Sequence, residues 1–209
     1  MINTRCFPQV QLGTWSRQPP IKALEATAVQ GAVLQLIKDI EIWKDGLDPA
    51  KMEFNEAYTW TARFQNSMGL LDYIEMIAGK RSEKEHYFFY AYYLNDLPLG
   101  FVVLEFRDQL PYITGIVTHP GSADVGGTLI EKAVEQADNH GYGKVMLYPT
   151  SEAARNAYTA LGFKNYYADQ DTYGIHDLEM CLVWAESNLW HYSENRWQLK
   201  KFEGEQFLA

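Results

Sequence analysis

Two stretches in the middle of the chain combine residue types whose spacing could support chemistry. The first, residues 116–130, reads as an apolar strand, a glycine-bearing turn and the start of a helix. Such a helix start presents free backbone N–H groups, which bind phosphate readily. Here they would belong to Val125, Gly126, Gly127 and Thr128. The second stretch, residues 151–163, reads as a short helix that carries Tyr158 and ends in Leu-Gly-Phe.

The elements around these stretches follow from hydrophobic periodicity. Apolar residues at helical spacing, followed by stop signals such as Gly46, Gly141 and Gly162, predict five helices. These span residues 21–46, 53–65, 69–78, 125–139 and 151–161. Apolar runs bounded by turn residues predict strands. These span residues 9–15, 86–94, 100–106, 111–117, 144–148, 163–168 and 178–184.

The order of these elements predicts a single α/β domain over residues 1–209. Helices come first, an antiparallel meander follows, and a β-α-β-α-β-β run completes the sheet. We therefore expect a mixed, mainly antiparallel sheet with helices on both faces. Residues 1–80 are expected to form an N-terminal extension with helices, residues 86–184 a core, and residues 185–209 an aromatic tail. The tail is too aromatic for a free linker, so we expect it to pack on the body of the protein or against a second copy in a homodimer.

Composition limits the partners and the compartment. The formal net charge of −9 disfavours nucleic acid, which binds clustered Lys and Arg, and favours cationic ligands such as amines. Cys6 and Cys181 lie far apart, and neither has a partner at metal-ligand spacing, so we predict no metal site. No apolar run is long enough for a bilayer, and the N-terminal residues lack a secretory signal. These features predict a cytoplasmic protein without a membrane partner.

Taken together, in this order and separation, the two stretches resemble the GCN5-related N-acetyltransferase (GNAT) superfamily. The resemblance covers roughly residues 86–184, which would form the acyl-CoA-binding core. It implies an acyl-CoA-dependent N-acyltransferase that moves an acetyl group from acetyl-CoA to an amine of a small molecule or a protein, by direct attack in a ternary complex. The helical part at residues 21–78 exceeds the family's usual pair of short helices, which suggests a specialised acceptor or a partner surface.

In that family the turn before the long helix reads Gln or Arg, two residues, Gly, one residue, then Gly or Ala. Its backbone amides hold the pyrophosphate of coenzyme A. Counted back from the helix, the basic residue falls on Gly121 and the first glycine on Asp124, while Gly126 keeps its place. Counted forward from Pro120, the basic residue falls on Ala123.

In the forward register Gly126 and Thr128 take the two glycine positions. In both registers the helix start still supplies amides, and Asp124 has a competing role as the helix cap. The resemblance also implies that the strand residues Ile116 and Val117 pair through their backbone with the pantetheine arm of the donor.

The resemblance assigns the chemistry to few side chains. Tyr158 matches the family tyrosine that protonates the leaving thiolate, and Ser151 takes the place of an asparagine that contacts the cofactor, with helix capping as its alternative role. The family's strand glutamate maps near Pro111 and Tyr112 and is absent, so Glu105 on the neighbouring strand is the best replacement as general base. The alternatives are water and His119, which ends the strand near the expected thioester, although a histidine before a proline in such a turn is often exposed. The acidic loop at residues 169–177 suits a cationic acceptor.

Three other functions compete with this one. A GNAT-fold binding or regulatory module that has lost catalysis is favoured by Asp124, the missing arginine and the missing strand glutamate, and is opposed by Tyr158. A toxin-like acyltransferase that acts on aminoacyl-tRNA is disfavoured by the net charge. A dehydrogenase is excluded because no Gly-x-Gly-x-x-Gly follows the first strand of a β-α-β unit.

Overall fold

A computed structural model describes residues 21–46, 54–80, 86–107, 110–122, 125–166 and 179–200, with side chains of the second range described from residue 61. Its helices are α1 (Ala26–Asp45), α2 (Phe54–Gly79), α3 (Val125–Asn139) and α4 (Glu152–Ala160). Its strands are β1 (Ile21–Leu24), β2 (Tyr87–Leu94), β3 (Leu97–Arg107), β4 (Leu110–Thr118), β5 (Val145–Leu147), β6 (Lys164–Asn165), β7 (Met180–Leu182), β8 (Trp190–Ser193) and β9 (Arg196–Leu199). A short 3-10 helix spans Trp184–Glu186.

Seven of these strands form one mixed sheet in the order β1-β2-β3-β4-β5-β7-β6. All neighbouring pairs are antiparallel except β4 and β5, which are parallel and connected through α3. The predicted α/β class with a mainly antiparallel sheet is confirmed.

Helices cover both faces of this sheet because strand side chains alternate between the faces. On one face, α1 and α2 pack on a cluster that includes Phe89, Phe101 and Val103. On the other face, α3 packs on a cluster that includes Val102 and Leu104. The central strands β3 and β4 are therefore covered on both sides, and they support the turn that follows β4.

Two predictions for the N-terminal half were wrong in detail. Residues 21–24 pair with β2 as an edge strand, so α1 begins only at Ala26, after Glu25. The two helices predicted at 53–65 and 69–78 are one helix, α2, because the segment around Gly69 continues without a break. Local periodicity marked the apolar face of each segment, while pairing with the aromatic strand β2 decided the conformation of residues 21–24. The strand predicted at 9–15 lies outside the described residues.

The C-terminal strands are shorter than predicted, and the tail has structure of its own. Only Lys164–Asn165 and Met180–Leu182 pair within the ranges predicted as strands, and Trp184 starts the 3-10 helix. Strands β8 and β9 form a separate antiparallel hairpin. The hairpin packs on α3, where the Leu199 N–H donates to Glu131 Oε1 at 2.8 Å. The described part of the tail therefore packs on its own chain, the first of the two alternatives.

None of the helices is suited to crossing a membrane. Within the residues that the structure describes, no helix combines the length and the apolar character needed to span a bilayer.

Gly100 on β3 allows the first turn of α3 to lie close against the sheet. A Cβ at this position would lie 2.8 Å from the Val117 carbonyl oxygen and 3.0 Å from Val125 Cγ1. We expect Gly100→Ala to lower the free energy of unfolding by about 1–3 kcal/mol, the usual effect of overpacking. Urea denaturation measures this value.

The matched control is Gly31→Ala, because Gly31 lies in α1 and a Cβ there would have no atom within 4 Å. This variant should be neutral or stabilising by up to about 1 kcal/mol, since alanine favours a helix. An unchanged urea midpoint for Gly100→Ala would show that the contact between β3 and α3 adapts to the methyl group.

Candidate active site

Strand β4 extends beyond its partner β5 and leaves a gap in the sheet. The two strands pair only through Tyr112–Met146 and Ile113–Leu147. Within the described residues, Thr114–Thr118 therefore has no strand partner on the β5 side, although it pairs with β3 on the other. We call the space beside Thr114–Thr118 the β4–β5 gap. Its backbone edge is about 13 Å long at the usual rise per residue, and it can accept an extended ligand as an added strand.

The predicted cofactor residues Ile116 and Val117 lie on this edge. Their side chains point to opposite faces of the sheet, Val117 towards α1 and α2 and Ile116 towards α3. Backbone groups lie in the plane of the sheet, and those of successive residues point towards opposite neighbours. Because the His119 N–H donates to the Leu99 carbonyl on the β3 side, the backbone groups of Val117 also point towards β3 and those of Ile116 point into the gap.

The start of α3 lies at the end of the same edge. A Cβ at Gly126 would meet Thr118 Cγ2 at 3.8 Å, which is an ordinary contact, and a Cβ at Gly127 would meet Leu199 Cδ2 at 3.8 Å. Packing among the described residues therefore does not require glycine at either position, although each glycine weakens a helix by about 1 kcal/mol relative to alanine. Two glycines at the start of a helix, which carry no side chains, allow a ligand to approach the free N–H groups closely.

The remaining predicted residues of this turn differ in exposure. Val125 is 5% exposed, so its side chain belongs to the core and only its backbone can meet a ligand. Thr128 is half-buried beside the two glycines. Ala123 and Asp124 lie outside the described residues. They are positions at which the two alternative alignments with the family's phosphate-binding turn differ.

A bulge at Thr114 changes the direction of β4 at the inner end of the gap. Val103 pairs with Gly115 and Leu104 with Ile113, so Thr114 is an extra residue in the ladder. Bulges alter local twist and re-aim backbone groups, and they are common beside active sites. This bulge was not among the sequence-based predictions, although a glycine inside a strand pattern, here Gly115, is its usual signal.

His119 anchors the turn between β4 and α3, and it is buried rather than exposed as its place before a proline suggested. Its Nδ1 accepts a hydrogen bond from the Gly121 N–H at 3.0 Å, and its Nε2 lies 3.6 Å from Asp39 Oδ2. Burial lowers the pKa of His119, and Asp39 partly opposes this shift. A Cβ at Gly121 would lie 2.7 Å from Trp43 Nε1. Packing by Trp43 therefore excludes a basic side chain at position 121, one of the two positions where the family arginine was sought.

Helix α4 begins at the carboxyl end of β5. Because parallel strands end on the same side of a sheet, this start lies on the side towards which the free part of β4 runs. Ser151 caps the helix, and its Oγ accepts a hydrogen bond from the Ala154 N–H at 3.1 Å. The side chain is exposed, so its hydroxyl proton can still be donated to a ligand.

The far end of α4 is fixed by two contacts. Trp190 Nε1 donates to the Leu161 carbonyl at 2.9 Å. Gly162 has a φ of +96°, and a Cβ there would lie 2.6 Å from Ser187 Oγ, so no other residue fits. These contacts hold the turn that follows the predicted catalytic tyrosine.

Tyr158 lies on the inner face of α4 and packs at 5.7 Å between ring centroids on Phe163. Burial raises the pKa of Tyr158 to about 12. The phenol is therefore protonated over the whole neutral range, which is the state required of a proton donor. Within the described part of the chain, its hydroxyl has no hydrogen-bond partner.

Glu105 is not at a solvated strand edge. It lies on β3, a central strand, is 8% exposed, and is separated from the gap by β4. Its Oε2 lies 2.6 Å from Arg107 Nη2 in an ion pair, and this contact with Glu105 raises the pKa of the Arg107 guanidinium. Burial and then a hydrogen bond to Glu105 raise the pKa of Tyr87.

A second buried carboxylate, Glu179, was not singled out from the sequence. It directly precedes β7, is 3% exposed, and accepts a hydrogen bond from the Tyr112 hydroxyl at 2.6 Å. The Tyr112 ring stacks on Tyr148 at 6.1 Å between centroids. The family's strand glutamate would fall near Tyr112. In this protein the carboxylate beside Tyr112 is that of Glu179, which comes from the residue before β7.

The β4 edge, the first turn of α3 and the start of α4 all lie towards the carboxyl ends of β4 and β5. Glu105 lies one strand away from this arrangement. The acidic loop at 169–177 and the residue Cys6 lie outside the described residues, and Cys181 is buried with a free thiol. Among the described residues, no three histidine, cysteine, aspartate or glutamate side chains are grouped as metal ligands.

A mixed α/β sheet that opens beside a glycine-bearing helix start is the architecture of an enzyme that binds an extended phosphate-bearing donor. The sequence model of the acetyltransferase (GNAT) family matches residues 49–163, and the chain belongs to this family. It is an N-acetyltransferase, and the resemblance inferred from the two stretches is confirmed.

Solved structures with a similar fold are distant in sequence. The PaiA N-acetyltransferase from Thermoplasma acidophilum in complex with coenzyme A is 18% identical over 77% of this chain and 97% of its own, with a TM-score of 0.45. The aminoglycoside 6'-acetyltransferase type Ii is 14% identical over 78% and 96%, with a TM-score of 0.48. A predicted acetyltransferase with acetyl-CoA from Clostridium acetobutylicum is 14% identical over 75% and 94%, with a TM-score of 0.43. No curated protein matches the chain.

Proposed function

We propose that the protein transfers an acetyl group from acetyl-CoA to a cationic amine, by direct attack in a ternary complex with Tyr158 as general acid. The observation that carries this proposal is the β4–β5 gap, a strand edge that has no partner among the described residues and starts beside the first turn of α3, where Gly126 and Gly127 carry no side chain. An extended donor with a phosphate at one end requires both features in this order.

The described residues fit the donor. The amides of the first turn of α3, residues 125–128, are suited to the pyrophosphate, and the helix dipole adds about 0.3–1 kcal/mol of favourable interaction. The backbone N–H and C=O of Ile116 are suited to an amide group of the pantetheine arm, whereas those of Val117 point towards β3. The Ser151 hydroxyl is placed at the start of α4, where it can donate to the same arm.

The donor supplies an activated acetyl thioester, and the side chains supply the proton transfers. Tyr158, protonated at neutral pH, gives a proton to the sulfur as it leaves. Glu105 is the carboxylate predicted from the sequence as base. Its carboxylate forms an ion pair with Arg107, so it is already engaged with a side chain of its own strand.

The acceptor is inferred from charge. A net charge of −9 attracts ammonium groups and repels the phosphates of nucleic acid. We therefore propose a small-molecule or protein amine as the acceptor and the cytoplasm as the site of action.

Calorimetric titration with acetyl-CoA, followed by an amine screen for thiol release, tests the proposal. The screen compares spermidine, lysinamide and benzylamine, which differ in charge and size. Micromolar binding and amine-dependent thiol release would support the proposal. If neither acetyl-CoA nor free coenzyme A binds, the protein is a GNAT-fold binding or regulatory module, as the altered phosphate turn would then explain.

A further inference from the structure

Glu179 is a buried carboxylate with a short hydrogen bond to a tyrosine. Its exposure is 3%, and the distance from the Tyr112 hydroxyl to Glu179 Oε1 is 2.6 Å. Distances of this size are typical of hydroxyl groups that donate to an ionised carboxylate. Among the described residues, no cationic side chain forms an ion pair with Glu179. The described polar partner of Glu179 is therefore a hydroxyl group rather than a cation.

Tyr112 lies at the inner end of the β4–β5 gap. It belongs to the first of the two residue pairs that join β4 to β5, and it precedes the bulged Thr114 by two residues. Its side chain lies on the α2 face of the sheet, beside Glu105, its pairing partner on β3. A donor that enters beside α3 and extends along Thr118 to Thr114 would end with its reactive group near this side chain. This step rests on the proposed function.

We propose that Tyr112 and Glu179 form the proton-accepting pair of the acetyl transfer. The Tyr112 hydroxyl takes a proton from the ammonium group of the acceptor while it passes its own proton to Glu179. The neutral amine then forms a bond from its nitrogen to the acetyl carbon, and the carbon–sulfur bond breaks. The sulfur takes a proton from Tyr158, which regains one from the acylated nitrogen, and Glu179 releases its proton to solvent.

The competing carboxylate is less suited to this role. Glu105 contacts Arg107 at 2.6 Å, so its carboxylate is already occupied by a cation, and β4 separates it from the gap. Glu179 has no such ion pair among the described residues, and its proton path through Tyr112 reaches the strand that borders the gap. The stacked rings of Tyr112 and Tyr148 also present aromatic surface, which binds ammonium groups favourably.

Several titratable or charged groups surround this pair and influence its pH dependence. Glu105 faces Tyr112 from β3, and the Arg107 guanidinium lies 5.8 Å from its ring centroid. The Cys181 thiol lies on β7, two residues after Glu179, and burial raises its pKa to about 11. The others are Tyr148, stacked on Tyr112, and Lys144, which acts on Cys181 through its charge.

The test compares two acceptors in the full-length protein with acetyl-CoA as donor. One acceptor is the fastest amine of the screen, which is protonated near neutral pH, and the other is methoxyamine, which is almost wholly neutral there. We expect Glu179→Gln and Tyr112→Phe each to lower kcat/KM at least about a hundredfold with the protonated amine. With methoxyamine, which needs no deprotonation, the loss should be less than about tenfold.

The pH profile adds a readout that a structural role would not change. In Glu179→Gln, kcat/KM for the protonated amine should rise with pH in proportion to the fraction of neutral amine, without the plateau of the wild type. Acetyl-CoA affinity and the melting temperature, measured in parallel, should be unchanged. Tyr112→Phe decides the question if Glu179→Gln does not fold, because it removes only one hydroxyl group.

Glu135→Gln and Glu105→Gln serve as comparisons. Glu135 lies on α3 in an ion pair with Lys132, away from the gap, and Glu135→Gln should leave turnover unchanged. An equal loss with both acceptors, wild-type turnover in Glu179→Gln, or a loss confined to Glu105→Gln would each overturn the assignment. If the wild type neither binds acetyl-CoA nor releases thiol, the proposed function fails, and the assignment fails with it.

Discussion

Replacement of Tyr158 by phenylalanine is expected to lower kcat by a factor of about 10²–10⁴, the usual contribution of a general acid, and to leave the affinity for acetyl-CoA unchanged. The ring packs on Phe163, and phenylalanine preserves this contact. The lost hydroxyl has no hydrogen-bond partner in the described part of the chain, so its removal leaves no other described polar group without a partner.

The raised pKa of Tyr158 defines how the proton must move. A thiol such as cysteine has a pKa of about 8.5, whereas that of Tyr158 is about 12. Transfer to a fully formed thiolate is therefore unfavourable, and the proton must move as the carbon–sulfur bond breaks. A solvent isotope effect on kcat in the wild type, absent from the residual activity of Tyr158→Phe, would support this coupling.

The matched control is Tyr192→Phe in the hairpin, because the Tyr192 side chain is 56% exposed and lies outside the site. Both variants are compared by turnover, by calorimetric titration with acetyl-CoA and by thermal melting. Wild-type turnover in Tyr158→Phe would remove the tyrosine from the mechanism. Reduced affinity with unchanged kcat would make it a binding residue instead.

Burial of Tyr158 also affects stability at alkaline pH. In the unfolded chain the phenol has a pKa near 10, whereas in the folded protein its pKa is about 12. The unfolded state therefore binds fewer protons between these values, and the free energy of unfolding falls as pH rises through this window. Tyr90 has a pKa raised to about 12 by burial and contributes in the same direction.

The sequence predicted well those features that depend on local pattern. The bounds of α3 agree with the apolar spacing, since Leu129, Ala133 and Val134 recur on one face and are fully buried. Gly141 and Gly162 end their helices with positive φ, as their positions indicated. The strand edge, the helix start and Tyr158 could be placed because each lies within a short continuous stretch.

The features that the sequence did not reveal depend on long-range contacts. Glu179 and Tyr112 are 67 residues apart, and only the order of strands in the sheet brings them together. The burial of Glu105 depends on β3 being a central strand, which alternation alone does not specify. Trp43 and Gly121 likewise meet because α1 packs across the end of β4, and this contact explains the missing side chain in the phosphate turn.

Introduction of a carboxylate at Gly126 is expected to weaken acetyl-CoA binding about a hundredfold or more without loss of stability. A unit charge about 4 Å from another contributes about 4 kcal/mol in partly screened surroundings, and about 1.4 kcal/mol corresponds to a tenfold change in affinity. The fold should tolerate Gly126→Glu, because a Cβ there meets Thr118 Cγ2 only at 3.8 Å. A glutamate in the first turn of a helix is itself stabilising.

Three variants distinguish charge from shape at this position. Gly126→Gln has the size of Gly126→Glu without its charge, so the difference in affinity between them measures repulsion of the donor's phosphates. Gly31→Glu adds the same charge to α1, at a helical glycine where a Cβ would have no atom within 4 Å, and should bind acetyl-CoA normally. Calorimetric titration at low and high salt completes the test, because screening should bring Gly126→Glu closer to Gly126→Gln.

The outcomes distinguish two ways in which the start of α3 could bind the pyrophosphate of the donor. If Gly126→Glu and Gly126→Gln lose affinity equally, the two bare glycines serve close approach of the ligand, and charge is secondary. If only the glutamate variant loses affinity, the turn acts mainly through its electrostatic field, which would compensate for the basic side chain that the packing of Trp43 excludes at Gly121. Unchanged affinity in both would place the pyrophosphate elsewhere. The β4–β5 gap would then need a different entrance.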